Sequence, residues 1–449
     1  MSWSLPSPFA RRRRRHLLAG LGLALALLAA PLLNARDAAA QRFDFGAGPP
    51  VAGRQQVLPD AIYTAERGYG FEPGFPVRAV PGGITGGQGA SAFFFSADVP
   101  EGNYRVTVAL VGAAGDSVVT IKAELRRLMV GPLPVTAGQR LERSFIVNVR
   151  TPRIAPRDGI AAGEVKLKAP RETTQEAWAW DRRLTLEFDG TATIVAAITI
   201  EPVTVPTIFL IGDSTVCDQS REPFTSWGQM VTRFFGPGVA VANHAESGET
   251  YRDSIGRRRL DKIVSVMRPG DWLLMQFGHN DQKQIAAGTG GPFTTYQEEI
   301  KRHIAAVRKA GGVPVIVSPM ERRRFDADGK IAPSLADYAE AARQTAEAEG
   351  VAFIDLHAMS IRFYEALGPG RAALAFAAPG GKVDNTHHDN YGAYELAKCI
   401  VASARAQRLG FARYLSPDFG GFDPAHPDDP AHFDVPPTPL VTQLRPLGD

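Results

Sequence analysis

Two cysteines, Cys217 and Cys399, are all that 449 residues contain. They could pair in an oxidising compartment, but two do not make a disulfide framework, and they read first as buried free thiols. The sequence also lacks HExxH or any other tight metal-ligand spacing, so no metal and no cofactor is expected. No internal repeat is evident. Charge of one sign is scarce as well. The formal net charge is +3, of which six arginines and one aspartate among residues 1–40 supply +5, leaving about −2 for the rest. Nothing in that balance suggests nucleic acid or an anionic membrane as a partner.

What is present begins with Arg11 to Arg15, an apolar stretch from Leu17 to Leu33, and the small residues Ala38-Ala39-Ala40. This is the layout of a signal peptide over residues 1–40. Gly20, Gly22 and Pro31 favour removal over a membrane anchor, so the protein is expected to be exported, periplasmic or extracellular, and free of the membrane afterwards. Arg14-Arg15 loosely permits twin-arginine export.

Residues 42–205 alternate with period two, as in Phe145, Val147, Val149 and Leu184, Leu186, Phe188, and predict an all-β sandwich or jelly roll. Gly115-Asp116-Ser117 reads as a hairpin turn, and Asp189-Gly190 as a turn into the run Ile194 to Ile200. Phe43, Phe45, Tyr69, Phe71, Trp178 and Trp180 are candidates for stacking on sugar rings, although each is more simply a core aromatic. Residues 206–410 change period. Five short apolar runs, Ile208–Ile211, Val239–Ala242, Trp272–Phe277, Val313–Val317 and Ala352–Ile354, alternate with helical patterns, one of them opening on Thr294 and Gln297 as a capping box. Strands alternating with helices predict a three-layer α/β domain with a five-stranded parallel sheet. Residues 411–449, rich in Pro, Asp and Gly, read as an extended strap.

Four polar stretches punctuate this pattern: Gly212-Asp213-Ser214-Thr215 after the first run, Asn243 to Gly248 after the second, Gly278-His279-Asn280-Asp281 after the third, and Asp384-Asn385-Thr386-His387 before the last helix. A parallel sheet gathers strand carboxyl ends on one rim. There a serine hydroxyl needs a base, and His387 is the natural one for Ser214, with Asp384 three residues earlier to fix the imidazole tautomer. The Ser214 N–H, the Gly248 N–H and the Asn280 amide are candidate oxyanion donors. Asp213 and Asp281 read as structural acids, and Ser247 has no base paired with it. A helix carrying Trp227, Met230, Val231 and Phe234 is expected to begin near Ser214.

This set resembles the GDSL or SGNH hydrolase superfamily. Ser214 to Asp218, Trp227-Gly228, Phe277 to Asp281 and Asp384 to His387 look most like the rhamnogalacturonan acetylesterase family, over about residues 206 to 405. The resemblance implies a flavodoxin-like hydrolase domain that removes acetyl esters from pectin backbones without a metal. It also implies, from Phe43 to Gly46 and Gly68 to Phe71, a galactose-binding-like β-domain ahead of it. The chain departs from the pattern at Glu249-Thr250, where the family commonly has Arg-Ser, and at His388, where it usually has an aromatic. Trp227, His279 and Arg252 are candidates for substrate contact, with Arg257 to Arg259 for uronate carboxylates. The expected substrate is thus an acetylated pectic polysaccharide. Alternatives are another acetylated glycan such as xylan, a metal hydrolase using His244, His279, His387 and His388 with Asp213 and Asp384, or a glycan-binding protein with a residual hydrolase domain. Oligomeric state is not legible.

Overall fold

The computed structural model describes residues 39–87, 92–113, 115 and 117–447. All but the last two residues of the expected signal peptide, 1–40, therefore lie outside the described residues, as does Asp116. The five apolar runs form β1 (Thr207–Gly212), β2 (Ala240–Asn243), β3 (Trp272–Gln276), β4 (Val313–Val317) and β5 (Ala352–Ile354), all parallel, in the order β2-β1-β3-β4-β5. Alternate residues of β1 serve opposite layers. Ile208 and Leu210 pack with Trp227, Phe363 and Leu396 on one face, while Phe209 and Ile211 pack with Ile263, Ile300 and Tyr338 on the other. A sheet buried on both faces leaves its polar chemistry to the strand ends. Register brings those ends level, with Leu210 opposite Asn243 and Gly212 opposite Gln276. Gly212 is required here, because a Cβ would stand 2.5 Å from the Gln276 carbonyl oxygen.

Local signals fared less well. The helix expected to start near Ser214 begins at Trp227, capped by Ser226 and Gln229, after a long irregular turn. Thr294 and Gln297 do not form a capping box. The chain enters that helix through a π-helical turn, Pro292–Tyr296, and the Thr294 hydroxyl bonds back to the Gly291 carbonyl instead. The last helix, Asn390–Ala406, is capped by Asp389, whose carboxylate accepts from the Gly392 N–H at 2.9 Å.

Burial raises the Asp389 carboxyl to about 7. Between pH ~4 and about 7 the unfolded chain ionises this group while the folded chain keeps it protonated, so its contribution to stability is present at low pH and is lost as pH rises through that window. Asparagine caps helices as well as aspartate does. Asp389→Asn should therefore melt a few degrees above the parent at pH 8 and show little difference at pH 4, as read by thermal denaturation. A lower melting temperature at pH 8 would contradict this.

The β-rich region consists of two sheets around one core. Strands Tyr69–Phe71, Phe93–Asp98, Arg183–Thr191, Ser117–Ala123 and Arg127–Val135 contribute to one, and Arg140–Val149, Gly102–Val111, Ile194–Pro202 and Gln41–Asp44 to the other. Phe43, Phe45 and Phe71 fill the space between them, and Trp180 lies buried beneath Arg150 at 4.6 Å. Neither supposed turn joins paired strands. Gly102–Val111 and Ser117–Ala123 belong to different sheets, as do Arg183–Thr191 and Ile194–Pro202. Alternation reveals a strand but not its neighbour.

This region reaches into the α/β layers through buried cations. At the tip of the hairpin joining Ser117–Ala123 to Arg127–Val135, Arg126 donates to the carbonyls of Gln219 and Phe224 and pairs with Glu222 at 2.5 Å; Arg127 holds Asp218 at 2.7 Å. Arg171 holds Glu246 at 2.9 Å, and Lys168 donates to the Ser247 carbonyl. Arg259, fully buried, bridges Glu172 at 2.6 Å and Glu249 at 2.8 Å. The loops after β1 and β2 are thus fixed from outside their own sheet. Buried charges of this kind are tolerated only when paired.

Candidate active site

The turn after β1 is built by Asp213. Its Oδ1 accepts from the Thr215 N–H at 2.9 Å and hydroxyl at 2.7 Å, and its carbonyl accepts from the N–H groups of Val216 and Cys217. Burial pushes the Asp213 carboxyl up, but His279 and the Thr215 donors hold it below the usual carboxylate range. Thr215 in turn accepts from Gln276, which accepts the Trp227 indole N–H, each at 2.7 Å. Trp227 is therefore a buried tie between the turn and β3. It presents no face to a substrate, contrary to the sequence expectation.

Ser214 stands on this turn with its Oγ 3.0 Å from His387 Nε2, and His387 Nδ1 lies 3.1 Å from Asp384 Oδ2. The other carboxylate oxygen, Oδ1, accepts from the N–H groups of Thr386 at 2.7 Å and His387 at 3.1 Å. One oxygen therefore shapes the loop while the other faces the ring. A carboxylate only accepts, so Nδ1 carries the proton and Nε2 is left as the acceptor for the serine hydroxyl. Burial pushes the Asp384 carboxyl up, but its hydrogen bond to His387, the histidine's charge and the backbone donors more than reverse this, holding it well below the carboxylate range. Phe224 stands edge-on to the His387 ring at 5.8 Å and limits its rotation.

The three expected oxyanion donors come from three loops. Asp213 Oδ1 and the Asp213 carbonyl are taken by residues 215, 216 and 217, and the Ser214 N–H takes no part in those bonds. Gly248 adopts φ +75°, which glycine holds without strain. Asn280 spends one amide hydrogen on the Glu249 carbonyl at 3.1 Å and accepts from Lys283 at 3.1 Å, leaving a second amide hydrogen. Asp281 accepts from the Tyr251 N–H at the start of the helix Tyr251–Gly256, which follows the loop of Gly248. Cys217 and Ser247 pack together behind Ser214 at 3.4 Å, and burial raises the thiol well above its ordinary range, so it is neutral.

Several expected substrate contacts are engaged elsewhere. Arg252 holds Glu299 at 2.8 Å and the Thr289 carbonyl at 3.1 Å. His279 is buried, 3.4 Å from Asp213. Arg257 donates to the Lys166 carbonyl and Arg259 is the buried bridge described above, so neither is free to hold a uronate. His388 fills its aromatic slot as a neutral, buried ring: burial lowers it to about 3, it bonds Tyr364 at 2.8 Å, and it lies 4.4 Å from the Phe376 ring. Among the described residues no three or more His, Cys, Asp or Glu side chains converge as a metal-binding group. Cys217 and Cys399 are free and buried.

Sequence reasoning missed three contributors. Gln219 donates to the Ser214 carbonyl at 2.8 Å, Lys168 holds the Ser247 carbonyl, and Arg445 reaches Asp384 from the tail. No local pattern marks any of them.

Residues 210–389 match the model of the GDSL-like lipase/acylhydrolase family. The chain is 38% identical over 205 residues to rhamnogalacturonan acetylesterase RhgT of Bacillus subtilis (strain 168), spanning 43% of this chain and 87% of that protein. It is 34% identical over 198 residues to probable rhamnogalacturonan acetylesterase YesY of the same organism, covering 43% and 90%. A longer match, 26% identical over 395 residues and covering 84% and 94%, is to the uncharacterized esterase YxiM, also of that organism.

Proposed function

We propose a substrate and a mechanism from one premise: the chain belongs to the GDSL-like lipase/acylhydrolase family and is a carboxylic ester hydrolase, of the carbohydrate acetylesterase kind. Its substrate is an acetylated pectic polysaccharide, rhamnogalacturonan, met outside the cytoplasm after removal of residues 1–40. The hydrogen-bonded relay of Ser214, His387 and Asp384, at 3.0 and 3.1 Å, carries this reading. The similarity to two relatives named as rhamnogalacturonan acetylesterases supports the choice of glycan.

In the first step Ser214 Oγ attacks the acetyl carbonyl carbon as His387 Nε2 takes its proton. The tetrahedral oxyanion is received by the N–H groups of Ser214 and Gly248 and the Asn280 amide. The intermediate collapses as the imidazolium returns the proton to the departing sugar oxygen, leaving an acetyl ester on Ser214. Water, deprotonated by His387, then releases acetate and restores the serine. The β-rich region, read as a galactose-binding-like sandwich, acts chiefly by holding the Gln219 and Glu246–Glu249 loops rather than by binding glycan.

The test is acetate release by the chain without residues 1–40 from acetylated rhamnogalacturonan, acetylated xylan and an aryl acetate. Preferential release from rhamnogalacturonan is expected. Preference for xylan would move the substrate to another glycan, and tight pectin binding by a chain that releases no acetate would favour the glycan-binding reading.

A further inference from the structure

We propose that Arg445 is a positioning residue of the acid–base pair, carried onto the Asp384 carboxylate by the C-terminal segment. That segment is then part of the active site and not a strap over the surface. The inference rests on the hydrolytic reading of Ser214, His387 and Asp384.

Arg445 places both Nε (2.8 Å) and Nη2 (2.7 Å) on Asp384 Oδ2, the same oxygen that faces His387 Nδ1. Its delivery is secured by Glu222. The Glu222 N–H donates to the Leu440 carbonyl and its carbonyl accepts from the Thr442 N–H, both at 2.8 Å, while its carboxylate accepts from the Thr438 N–H at 2.9 Å. Glu222 is itself held by Arg126 and by Asn390. Past Arg445 the chain reaches the other side of the site, where a Cβ on Gly248 would stand 3.2 Å from Leu447 Cβ. One short segment therefore touches both the loop of the base and the loop of an oxyanion donor.

Arg445 and His387 compete for one oxygen. A charged imidazole would meet a carboxylate already engaged and a guanidinium beside it, so Arg445 disfavours the protonated ring and keeps the base available at lower pH. Other charged or titratable groups around the pair include Arg323, His388 and, beyond His388, His279. Arg323 is bound to Asn385 Oδ1 at 2.7 Å with its charge near Asp384, and His388 is packed behind on Tyr364. Neither bonds Oδ2. Phe224 contributes only an apolar edge.

The experiment is the pH dependence of kcat/KM on an aryl acetate for the parent, Arg445→Gln and Arg445→Lys in the otherwise full chain. The acid-side midpoint should move to higher pH by about half a unit to one unit in Arg445→Gln, a roughly three- to tenfold loss on the acid limb. Arg445→Lys should restore most of it. A chain ending at Leu444 also loses the Leu447 contact at Gly248, so it should show that shift together with a loss of rate that is the same at every pH. An unchanged midpoint in both would overturn the proposal, as would a uniform rise in rate at every pH, the mark of a segment that merely obstructs. Ser214→Ala, assayed alongside, tests the hydrolytic reading separately, since it abolishes the rate without bearing on where the midpoint lies.

Discussion

Ser214→Ala should lower acetate release by roughly ten-thousand- to a million-fold, the range seen when the nucleophile of a relay that acts as a unit is removed. The residue is well suited to show this cleanly. Its carbonyl is held by Gln219 and the turn around it by Asp213, Thr215 and Gln276, none of which uses the Ser214 hydroxyl. That hydroxyl bonds His387. Deleting one oxygen should therefore leave the fold and melting temperature unchanged while removing the attacking atom. Activity within tenfold of the parent would exclude Ser214 and leave a water-based reaction, which chelation could then probe.

Asn280→Ala should cost about a hundred- to a thousandfold, mostly in kcat, because an oxyanion donor acts on charge that develops only in the transition state. Its amide has a second task, donating to the Glu249 carbonyl, which ties the loop after β3 to the loop carrying Gly248. Asn280→Asp separates the two roles. It keeps size and shape but sets a carboxylate where negative charge must gather, so it should be at least as damaging as alanine. A rise in KM with unchanged kcat in either variant would mean that Asn280 binds substrate and not the transition state.

The parallel sheet was legible because each strand is a short apolar run buried on both faces, a pattern that needs no knowledge of the partner. The Ser214, Asp384 and His387 juxtaposition was legible for a related reason: strand order in such a sheet decides which loops meet, and Asp384 and His387 lie within one turn of each other. The β-rich region resisted because its strands at 102–111 and 117–123 sit in different sheets although a short connection joins them. Trp227, Arg252 and Arg259 resisted because a large or charged side chain reads alike whether it faces a ligand or a buried partner. Only the fold shows Trp227 tied to Gln276 and Arg259 enclosed by Glu172 and Glu249. Arg445 sits in a Pro- and Gly-rich tail whose composition says nothing about where it docks.

The central claim is that Ser214 carries the acyl group. Treating the chain with a phosphonate ester that modifies activated serines, then mapping the label by mass spectrometry of peptides, tests it most directly. Labelling of Ser214 in step with loss of acetate release, and absent from His387→Ala, is the expected result. Label on Ser247 with Ser214 unmodified, or full acetate release from a chain labelled at Ser214, would contradict it.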